Sequence, residues 1–356
     1  MDVLVLAGGT GSRLWPRSRR TKPKQFLPLL SKRTMLQETV DRVRDLVEDE
    51  RVFVVTGEDY ASLVTEQLDR VPRANIIREP SGRGTAPAIG LAAIHMRRSD
   101  PDAVMAVLSA DHLILRGDAF RNALQAAEVA AREGYLVTLG IKPSFANTGY
   151  GYIKCGDQIS ASHGLSIHKV GRFAEKPDQA TAERYIADGN YYWNAGIFIW
   201  QTQTFLDAVE QYLPRLRNQL NQIQAGFGKS RQQVILNTIW EQVENITVDY
   251  GIMERAPNVA VIPVDIGWSD VGDWHTLTTL MGTGESANVV IGPHVEVDTH
   301  STLIYSDSGR IIATIGLEDF LVVDTGDALL IAPRNRAQDV KKIVDQLREE
   351  GRNDVL

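Results

Sequence analysis

A glycine-rich loop directly after the first apolar run carries the clearest chemical signal in this sequence. Residues 6–16 read LAGGTGSRLWP, and glycines at 8, 9 and 11 allow backbone N–H groups to approach an anion without interference from a Cβ. A tight turn of no chemical function would have the same spacing. Six basic side chains lie within the 12 residues 13–24: Arg13, Arg17, Arg19, Arg20, Lys22 and Lys24. In a chain of net charge −7, this cluster indicates a polyphosphate ligand more than a solvated surface loop.

Two common phosphate-binding fingerprints do not fit this loop. The Walker pattern G-x-x-x-x-G-K-[ST] requires Lys-Ser or Lys-Thr after the glycines, and the loop has neither. The dinucleotide pattern G-x-G-x-x-G, started at Gly9, requires a third glycine where Leu14 stands. A nicotinamide-dependent dehydrogenase is therefore disfavoured.

Two aspartates follow strand-like runs and are candidate metal ligands. Asp111 comes after the apolar run 103–108, which predicts a position at the carboxyl end of a parallel strand, where open α/β sheets bind ligands. Asp270 lies in the turn-rich segment GWSDVG. Spacing alone would equally fit caps or turns, and Asp265 and Asp273 are nearby alternatives. His112 is interpreted as structural, because no His or Cys set accompanies it.

A third set of polar residues lies further along the chain. Glu175 and Lys176 end a strand-like run, and Asn194 lies within the run 192–200. An amide offers donors and acceptors, which suits a vicinal diol, although a strand-edge hydrogen bond is the plain alternative. Gly151 lies between two tyrosines and would permit close approach of a ligand. The sequence assigns no role to Asp249 or Glu254.

Taken together, these segments resemble one family. The segment LAGGTGSRLWPRSRRTKPKQFLPL (6–29) resembles the signature of sugar-1-phosphate nucleotidylyltransferases, in the form of their mannose-1-phosphate guanylyltransferase branch, the GDP-mannose pyrophosphorylases. Further segments resemble that branch in the same order: EPSGRGTAPAI (79–89), LSADHLI (108–114), TGYGYI (148–153), FAEKP (173–177), WNAGIF (193–198) and GWSDVGDW (267–274).

The resemblance implies a role for each matching residue. Asp111 and Asp270 would hold Mg²⁺, and the implied catalytic residues are Arg13, Lys24, Asp111 and Asp270. Nucleotide binding is implied for Leu6, Ala7, Gly8, Gly9, Thr10, Gly11, Ser12, Arg13, Lys24, Glu79, Pro80, Gly84, Thr85 and Asp111. Binding of the sugar phosphate is implied for Gly151, Glu175, Lys176 and Asn194. Acceptors for guanine could come from Glu79 or from the backbone carbonyls of 80–84.

The implied activity is transfer of GMP from GTP to α-D-mannose 1-phosphate, which gives GDP-mannose and pyrophosphate. A nucleotidylyltransferase for another sugar phosphate or nucleotide is one alternative, and a non-catalytic sugar-nucleotide-binding regulator is another. The regulator is disfavoured because all five charged residues of the pattern are present: Arg13, Lys24, Asp111, Lys176 and Asp270.

The elements that must position these residues form two patterns. Before residue 147, apolar runs alternate with helical patterns near 34–44, 58–68, 85–97 and 117–133. The predicted strands are Val3–Leu6, Val52–Val55, Asn75–Ile77, Val104–Leu108 and Leu136–Leu139. This alternation predicts a three-layer α/β/α domain with a mixed, mostly parallel sheet. The family resemblance implies that this is a Rossmann-like nucleotidyltransferase domain.

Later segments predict the rest of the sheet and a second domain. Strands are expected at 150–154, 168–175 and 192–200, and helices near 203–213 and 230–243. The predicted domains are 1–280 and 288–356, with a glycine-rich boundary at 281–287. The second domain combines short strands, which predict a small β module resembling a short β-helix, with a terminal helix at about 336–349.

Composition limits the class of protein further. The 356 residues include one cysteine, Cys155, which excludes an intrachain disulfide and favours a reducing, cytoplasmic location. No run approaches the length of a membrane span, and the start lacks the features of a secretory signal. The acidic net charge argues against general nucleic-acid binding. A homodimer is expected, because the small C-terminal module offers apolar strands and an amphipathic helix.

Overall fold

The computed structural model describes residues 1–9, 11–282 and 287–356, which form two compact units. The large unit comprises Met1–Gly8, Gln37–Ala110 and Ile114–Trp268, and the small unit comprises Gly9–Leu36, Asp111–Leu113 and Ser269–Leu356. The glycine loop and the C-terminal module therefore belong to the same unit. The domain boundary predicted between 280 and 288 stays a prediction, and residues 283–286 of that segment lie outside the described residues.

The strands and helices of the described residues alternate through most of the chain. The strands are β1 Asp2–Leu6, β2 Val52–Gly57, β3 Ile76–Glu79, β4 Val104–Ser109, β5 Leu113–Ile114, β6 Leu136–Ile141, β7 Tyr152–Ser162, β8 Leu165–Ala174, β9 Tyr191–Gln201, β10 Val259–Val264, β11 Trp268–Ser269, β12 Val289–Ile291, β13 His294–Val297, β14 Leu303–Ser306, β15 Ile312–Ile315, β16 Phe320–Asp324 and β17 Leu329–Pro333. The helices are α1 Met35–Asp41, α2 Ala61–Gln67, α3 Thr85–Met96, α4 Gly117–Arg132, α5 Gln179–Asp188, α6 Thr202–Tyr212, α7 Pro214–Ala225, α8 Gln232–Trp240, α9 Trp274–Met281 and α10 Val340–Glu349.

A nine-stranded sheet forms the centre of the large unit, in the order β3-β2-β1-β4-β9-β6-β10-β8-β7. The pairs β1–β2, β1–β4, β2–β3 and β6–β10 are parallel, whereas β9 is antiparallel to β4, β6 and β7. Strand β8 is antiparallel to β10 and β7. All strands except β8 and β9 therefore run in one direction, which confirms the predicted mixed, mostly parallel sheet.

Both faces of this sheet are covered by helices. Leu4 points to one face, where it joins a core cluster with residues of α3, α6 and α7. Val3 and Val5 point to the other face and are equally buried. Helix α4 packs against β9, β6 and β10 through buried residues that do not belong to the first cluster. Strands buried on both faces are typical of a three-layer α/β/α fold, as predicted.

The predicted strands before residue 147 lie within two residues of the observed ones, but three helices were missed. These are α5, α7 and α9. The predicted strands at 150–154 and 168–175 are parts of the longer hairpin β7–β8. The segment Asp249–Met253, for which no element was predicted, forms a short π-helical turn.

The small unit is built around short parallel strands. Strands β12, β14 and β16 are parallel neighbours, β17 pairs antiparallel with β16, and β13 pairs in parallel with β15. Its core joins Leu14 of the glycine-loop segment to Trp274 of α9 and to Val340 and Val344 of α10. Successive short strands stacked in parallel give the β-helix-like module that the sequence predicted.

No helix within the described ranges is long and apolar enough to cross a membrane.

Candidate active site

The glycine loop is held against Lys24 in the small unit. Gly9 and Gly11 have φ angles of +90° and +60°, which favour glycine. At Gly11 a Cβ would also collide with the Cβ of Lys24. The Ser18 hydroxyl donates to the Gly11 carbonyl at 2.7 Å, and the Gln25 amide donates to the Gly9 carbonyl at 3.2 Å. Glycine at 11 thus allows the loop to approach the lysine.

Lys24 connects the two predicted aspartates. Its Nζ lies 3.0 Å from Oδ2 of Asp111 and also donates to the main-chain carbonyl of Asp270. The lysine side chain is only 5% exposed, so its charge needs these acceptors. Burial raises the pKa of Asp111, but the charges of Lys24 and His112 outweigh burial and bring that pKa below its ordinary value. Asp111 is therefore an ionised carboxylate at neutral pH.

These residues line a cavity of about 300 Å³ in the small unit. Its lining residues are Gly11, Ser12, Arg13, Lys24, Asp111, His112, Asp270, Gly272 and Lys341. The residues predicted to be catalytic come from three distant segments and meet here. At Gly272, a Cβ would lie 3.0 Å from Oδ2 of Asp270, so the glycine leaves room beside that carboxylate.

The two alternative aspartates have structural partners. Asp273 is the N-cap of α9, where it accepts a hydrogen bond from the Thr276 N–H at 2.8 Å, and it also accepts one from the Gln338 amide. Asp265 is exposed, belongs to the large unit and pairs with Arg116. Neither lines the cavity, which favours Asp270 as the ligand in this segment.

The cavity suits a hard divalent cation that keeps most of its shell from other sources. Among the described residues, no group of three or more His, Cys, Asp or Glu side chains could hold a metal ion. Asp111 and Asp270 nevertheless supply two carboxylates to one cavity. Mg²⁺ is typically bound through one or two carboxylates together with water and substrate phosphates, so this donor set fits it.

Lys341 was missed by sequence reasoning. It lies in the first turn of α10, yet it lines the same cavity as Lys24 and Asp111. One feature of the sequence could have drawn attention to it: a lysine in the first turn of a predicted helix is unfavourable because it opposes the helix dipole. The sequence could not, however, indicate which surface that turn would face.

Glu79 is the last residue of β3 in the large unit, and its carboxylate is buried. It is 8% exposed, and its Oε2 accepts no hydrogen bond from any residue that the structure describes. Burial raises its pKa to about 7, and a backbone hydrogen bond from Arg83 offsets only part of this. An unsatisfied buried acceptor is unfavourable unless a ligand supplies the donor. The role of Glu79 as an acceptor for a base stays a prediction, beside the backbone carbonyls of 80–84.

The loop between β3 and α3 is fastened to the segment before the π-helical turn. Gly84 has φ +82°, and a Cβ there would collide with the carbonyl of Ile246. Thr85, the first residue of α3, accepts a hydrogen bond from the Val248 N–H at 2.8 Å. The indole of Trp240 donates to the Ser81 carbonyl at 2.7 Å. These contacts fix the segment predicted to border the nucleotide base.

The predicted sugar-phosphate residues form a second cluster in the large unit. Lys176, at φ +47°, pairs with Oε1 of Glu175 at 2.8 Å, and Glu254 accepts a hydrogen bond from the Glu175 N–H at 2.9 Å. The Oε2 of Glu175 is buried without a hydrogen bond from the described residues. At Gly151, a Cβ would collide with that oxygen. The glycine therefore makes room for the carboxylate.

Asn194 is fixed by hydrogen bonds that leave little of its amide free. Its Nδ2 donates to Oδ1 of Asp249 at 2.8 Å, while its Oδ1 accepts from the Gly196 N–H and lies 3.1 Å from the Thr138 hydroxyl. One Nδ2 hydrogen remains for a ligand, so the expected mixture of donors and acceptors is reduced to a single donor. Burial, followed by the charge of Glu175, raises the pKa of Asp249 to about 6.

The predicted site residues thus lie in both units. The small unit holds Gly9, Gly11, Ser12, Arg13, Lys24, Asp111 and Asp270. The large unit holds Leu6, Ala7, Gly8, Glu79, Pro80, Gly84, Thr85, Gly151, Glu175, Lys176 and Asn194. Thr10 lies outside the described residues. Asp249 and Glu254, which had no predicted role, contact the sugar-phosphate cluster.

The fold and these clusters match a known class of protein. Residues 2–285 match the nucleotidyl transferase family, and residues 292–347 match the MannoseP isomerase/GMP-like beta-helix domain. The chain is a nucleotidyltransferase and acts on the substrate types of that class, a nucleoside triphosphate and a sugar phosphate.

Within this class, the relatives define a narrower group. The chain is 41% identical over 361 residues to a mannose-1-phosphate guanylyltransferase of Escherichia coli, covering 99% of this chain and 74% of the relative. It is 40% identical over 356 residues to mannose-1-phosphate guanylyltransferase ManC of Salmonella typhimurium, with the same coverage. The chain therefore belongs to the mannose-1-phosphate guanylyltransferase family.

A solved structure agrees with this placement. The crystal structure described as mannose-1-phosphate geranyltransferase from Thermus thermophilus matches with a TM-score of 0.88 and 34% sequence identity. The match covers 98% of this chain and 99% of that chain, so it includes both the sheet and the C-terminal module.

Proposed function

We propose that this protein transfers GMP from GTP to α-D-mannose 1-phosphate and releases pyrophosphate. The observation that carries the proposal is the cavity in which the glycine loop, Arg13, Lys24, Asp111 and Asp270 converge. The family to which the chain belongs supports the choice of guanine and mannose.

The reaction needs no general base. An oxygen of the sugar phosphate forms a bond to the α-phosphorus of GTP, and the bond from that phosphorus to the bridging oxygen breaks. Pyrophosphate leaves with the electron pair. Because the nucleophile is already an anion at neutral pH, the protein acts by positioning the reactants and neutralising charge. Two unit charges 4 Å apart repel by about 4 kcal/mol at an effective dielectric constant of 20, which shows the size of this task.

The basic residues supply most of the opposing charge from the protein. Arg13 binds the leaving pyrophosphate, Lys24 contacts the α-phosphate, and Lys176 binds the phosphate of the sugar. Lys24 is held by Asp111 and by the Asp270 carbonyl, so its ammonium is oriented before the nucleotide arrives. Such preorganised charge costs no reorganisation at the moment of reaction.

Asp111 and Asp270 are the residues that would hold Mg²⁺. When bound, this ion supplies positive charge to the phosphate oxygens. The pKa of Asp111 lies below its ordinary value, so its carboxylate is ionised and available as a ligand at neutral pH. Lys24 pairs with Asp111 and so offsets the negative charge of that carboxylate beside the triphosphate.

The protein binds the sugar through one hydrogen-bond acceptor and one hydrogen-bond donor. The buried Oε2 of Glu175 lacks a hydrogen-bond donor among the described residues and accepts from a sugar hydroxyl. The remaining Nδ2 hydrogen of Asn194 donates to a neighbouring hydroxyl. On the other substrate, Glu79 accepts from the guanine N1–H and N2–H₂ edge. Buried polar groups that lack their ligand partner give strong discrimination against analogues without it.

Release of pyrophosphate from GTP, with and without mannose 1-phosphate, tests the proposal. Sugar-dependent release and formation of GDP-mannose are expected, with weaker activity for other nucleoside triphosphates and other sugar phosphates. A preference for another pair of substrates would assign a different nucleotidylyltransferase activity. Tight binding of GDP-mannose without any turnover would instead indicate a regulator.

A further inference from the structure

Lys341 introduces a positive charge from the C-terminal helix into the candidate active site. The residue lies in the first turn of α10 and lines the same cavity as Gly11, Arg13 and Lys24. Its side chain is exposed, and it forms no ion pair with an acid in the ranges that the structure describes. Arg13 is likewise exposed and without such a partner, whereas Lys24 is buried against Asp111.

The neighbouring charges make Lys341 distinctive. Lys342 pairs with Oδ1 of Asp339 at 2.7 Å, and Arg336 pairs with Oδ2 of the same carboxylate at 2.9 Å. Asp339, at the start of α10, is thus paired with Arg336 and Lys342, and neither of these two basic residues lines the cavity. Lys341 and Arg13 therefore add two positive charges to a cavity in which Lys24 is already paired with Asp111.

The position of Lys341 is fixed by the core of the small unit. Val340 and Val344 are buried in the same cluster as Leu14, which immediately follows Arg13. The Gln338 amide donates to Asp273 at the start of α9, and the indole of Trp15 donates to the Val355 carbonyl at 2.7 Å. The first turn of α10 is therefore held beside the glycine-loop segment by packing and hydrogen bonds on both sides.

We propose that Lys341 is a nucleotide-binding residue that contacts the β- and γ-phosphates of GTP and, after transfer, the leaving pyrophosphate. This inference rests on the proposed function. Lys24 is already engaged by Asp111 and Asp270, so it has limited capacity to neutralise the terminal phosphates. Among the described residues that line the cavity, Arg13 and Lys341 are the exposed cations, and an anionic ligand would supply opposing charge to both. The C-terminal module thereby supplies a residue to the active site.

The test compares Lys341→Gln with Lys342→Gln, which removes the same charge from the adjacent position. Binding of GTP, GMP and inorganic pyrophosphate is measured by calorimetry on the full chain at fixed Mg²⁺. Lys341→Gln is expected to weaken binding of GTP and pyrophosphate about tenfold or more, as for the loss of a hydrogen bond to a charged group. GMP binding and the KM for mannose 1-phosphate should change less than twofold. Lys341→Arg should restore most of the affinity.

Thermal unfolding provides a readout independent of turnover. Pyrophosphate should stabilise the parent and Lys342→Gln to the same extent, and it should stabilise Lys341→Gln clearly less. Equal binding of GTP by the parent and Lys341→Gln would overturn the inference, and so would an equal loss of GMP binding. If the parent makes GDP-mannose and Lys341→Gln binds GTP and pyrophosphate as tightly as the parent does, only the inference about Lys341 fails. If the parent makes no GDP-mannose but Lys341→Gln still loses pyrophosphate binding, the phosphate contact stands and the proposed function fails.

Discussion

At the scale of single residues, the carboxylates of Asp111 and Asp270 give the most direct prediction. Replacing either aspartate by asparagine keeps the shape of the side chain and removes its charge. Because this charge would hold the cation that neutralises the phosphates, turnover should fall at least about a hundredfold. Steady-state rates over a range of Mg²⁺ concentrations measure the effect, and excess Mg²⁺ should restore part of the rate.

Asp273→Asn is the control for this pair. Asp273 caps α9, and asparagine is an equally good N-cap, so the fold should be retained with at most the loss of the hydrogen bond from Gln338. Turnover should be nearly retained. Circular dichroism should show all three variants folded. A nearly normal rate for Asp270→Asn, together with an inactive Asp273→Asn, would mean that the wrong aspartate was assigned as the ligand.

The raised pKa of Glu79 predicts that binding of guanine depends on pH. Its pKa is raised to about 7 in the free protein, and accepting hydrogen bonds from guanine requires the ionised form. As the pH falls below about 7, the carboxylate takes up a proton that must be lost on binding. The Kd should therefore rise, by up to about tenfold per pH unit. GDP-mannose is the suitable probe, because its pyrophosphate does not titrate in this range.

The variant Glu79→Gln tests whether titration of Glu79, and not of another group, causes this pH dependence. The amide cannot titrate, so this variant should bind GDP-mannose more weakly at pH 8, and its Kd should be nearly constant between pH 6.5 and 8, a range above the pKa of Asp249. An unchanged pH profile in Glu79→Gln would show that another group carries the dependence, and Glu79 would then lose its proposed role in reading the base.

Lys24 and Lys176 should give different kinetic defects, because each is proposed to bind a different phosphate. Lys176 is 54% exposed and pairs with Glu175, so Lys176→Ala should mainly raise the KM for mannose 1-phosphate, by about tenfold or more. Lys24 is buried beside Asp111, so Lys24→Ala should mainly weaken use of GTP. Steady-state kinetics with each substrate varied in turn measure both. Equal and small changes for both substrates would contradict these assignments.

At the scale of elements, the loop between β3 and α3 depends on glycine at 84. The backbone there has φ +82° and passes against the carbonyl of Ile246. Gly84→Ala should therefore lower the free energy of unfolding by about 1–3 kcal/mol and raise the KM for GTP. Gly82→Ala in the same loop is the matched control, since a Cβ there meets nothing within 4 Å. Urea unfolding compares the two, and equal stabilities would show that the loop tolerates a side chain at both positions.

The elements and the site differ in how far the sequence could predict them. The strands of the first half were predictable because each is a buried apolar run between helical patterns. Helix α5 was missed because only Ala182 and Tyr185 of it are buried, which leaves too weak a pattern. The site residues within contiguous motifs were recognisable. Two other features join segments that are far apart in sequence: the hydrogen bond between Asn194 and Asp249, and the position of Lys341 at the cavity. No local sequence pattern could predict them.

At the scale of the whole molecule, the small unit presents an apolar face. Val297 and Ile315 are direct neighbours across the parallel pair β13–β15, and they are 55% and 77% exposed. Val295 on the same strand is 57% exposed. Helix α10, which the sequence offered as a second apolar surface, already buries Val340 and Val344 in the core of its own unit. The strand face is therefore the better candidate for contact with a second copy, since exposed apolar patches commonly mark interaction surfaces.

We expect the protein to form a homodimer through this face. Light scattering at micromolar concentration should then give about twice the chain mass of 39.4 kDa. The double variant Val297→Asp and Ile315→Asp places like charges on neighbouring strands at the proposed contact, so it should be monomeric. Its circular dichroism should remain that of a folded protein, with a melting temperature lowered by the two facing charges and by loss of the dimer. Val129→Asp on α4, an exposed apolar position of the large unit, is the control and should remain dimeric. A parent of 39.4 kDa alone would exclude the dimer under these conditions, and a dimeric double variant would place the contact on another surface.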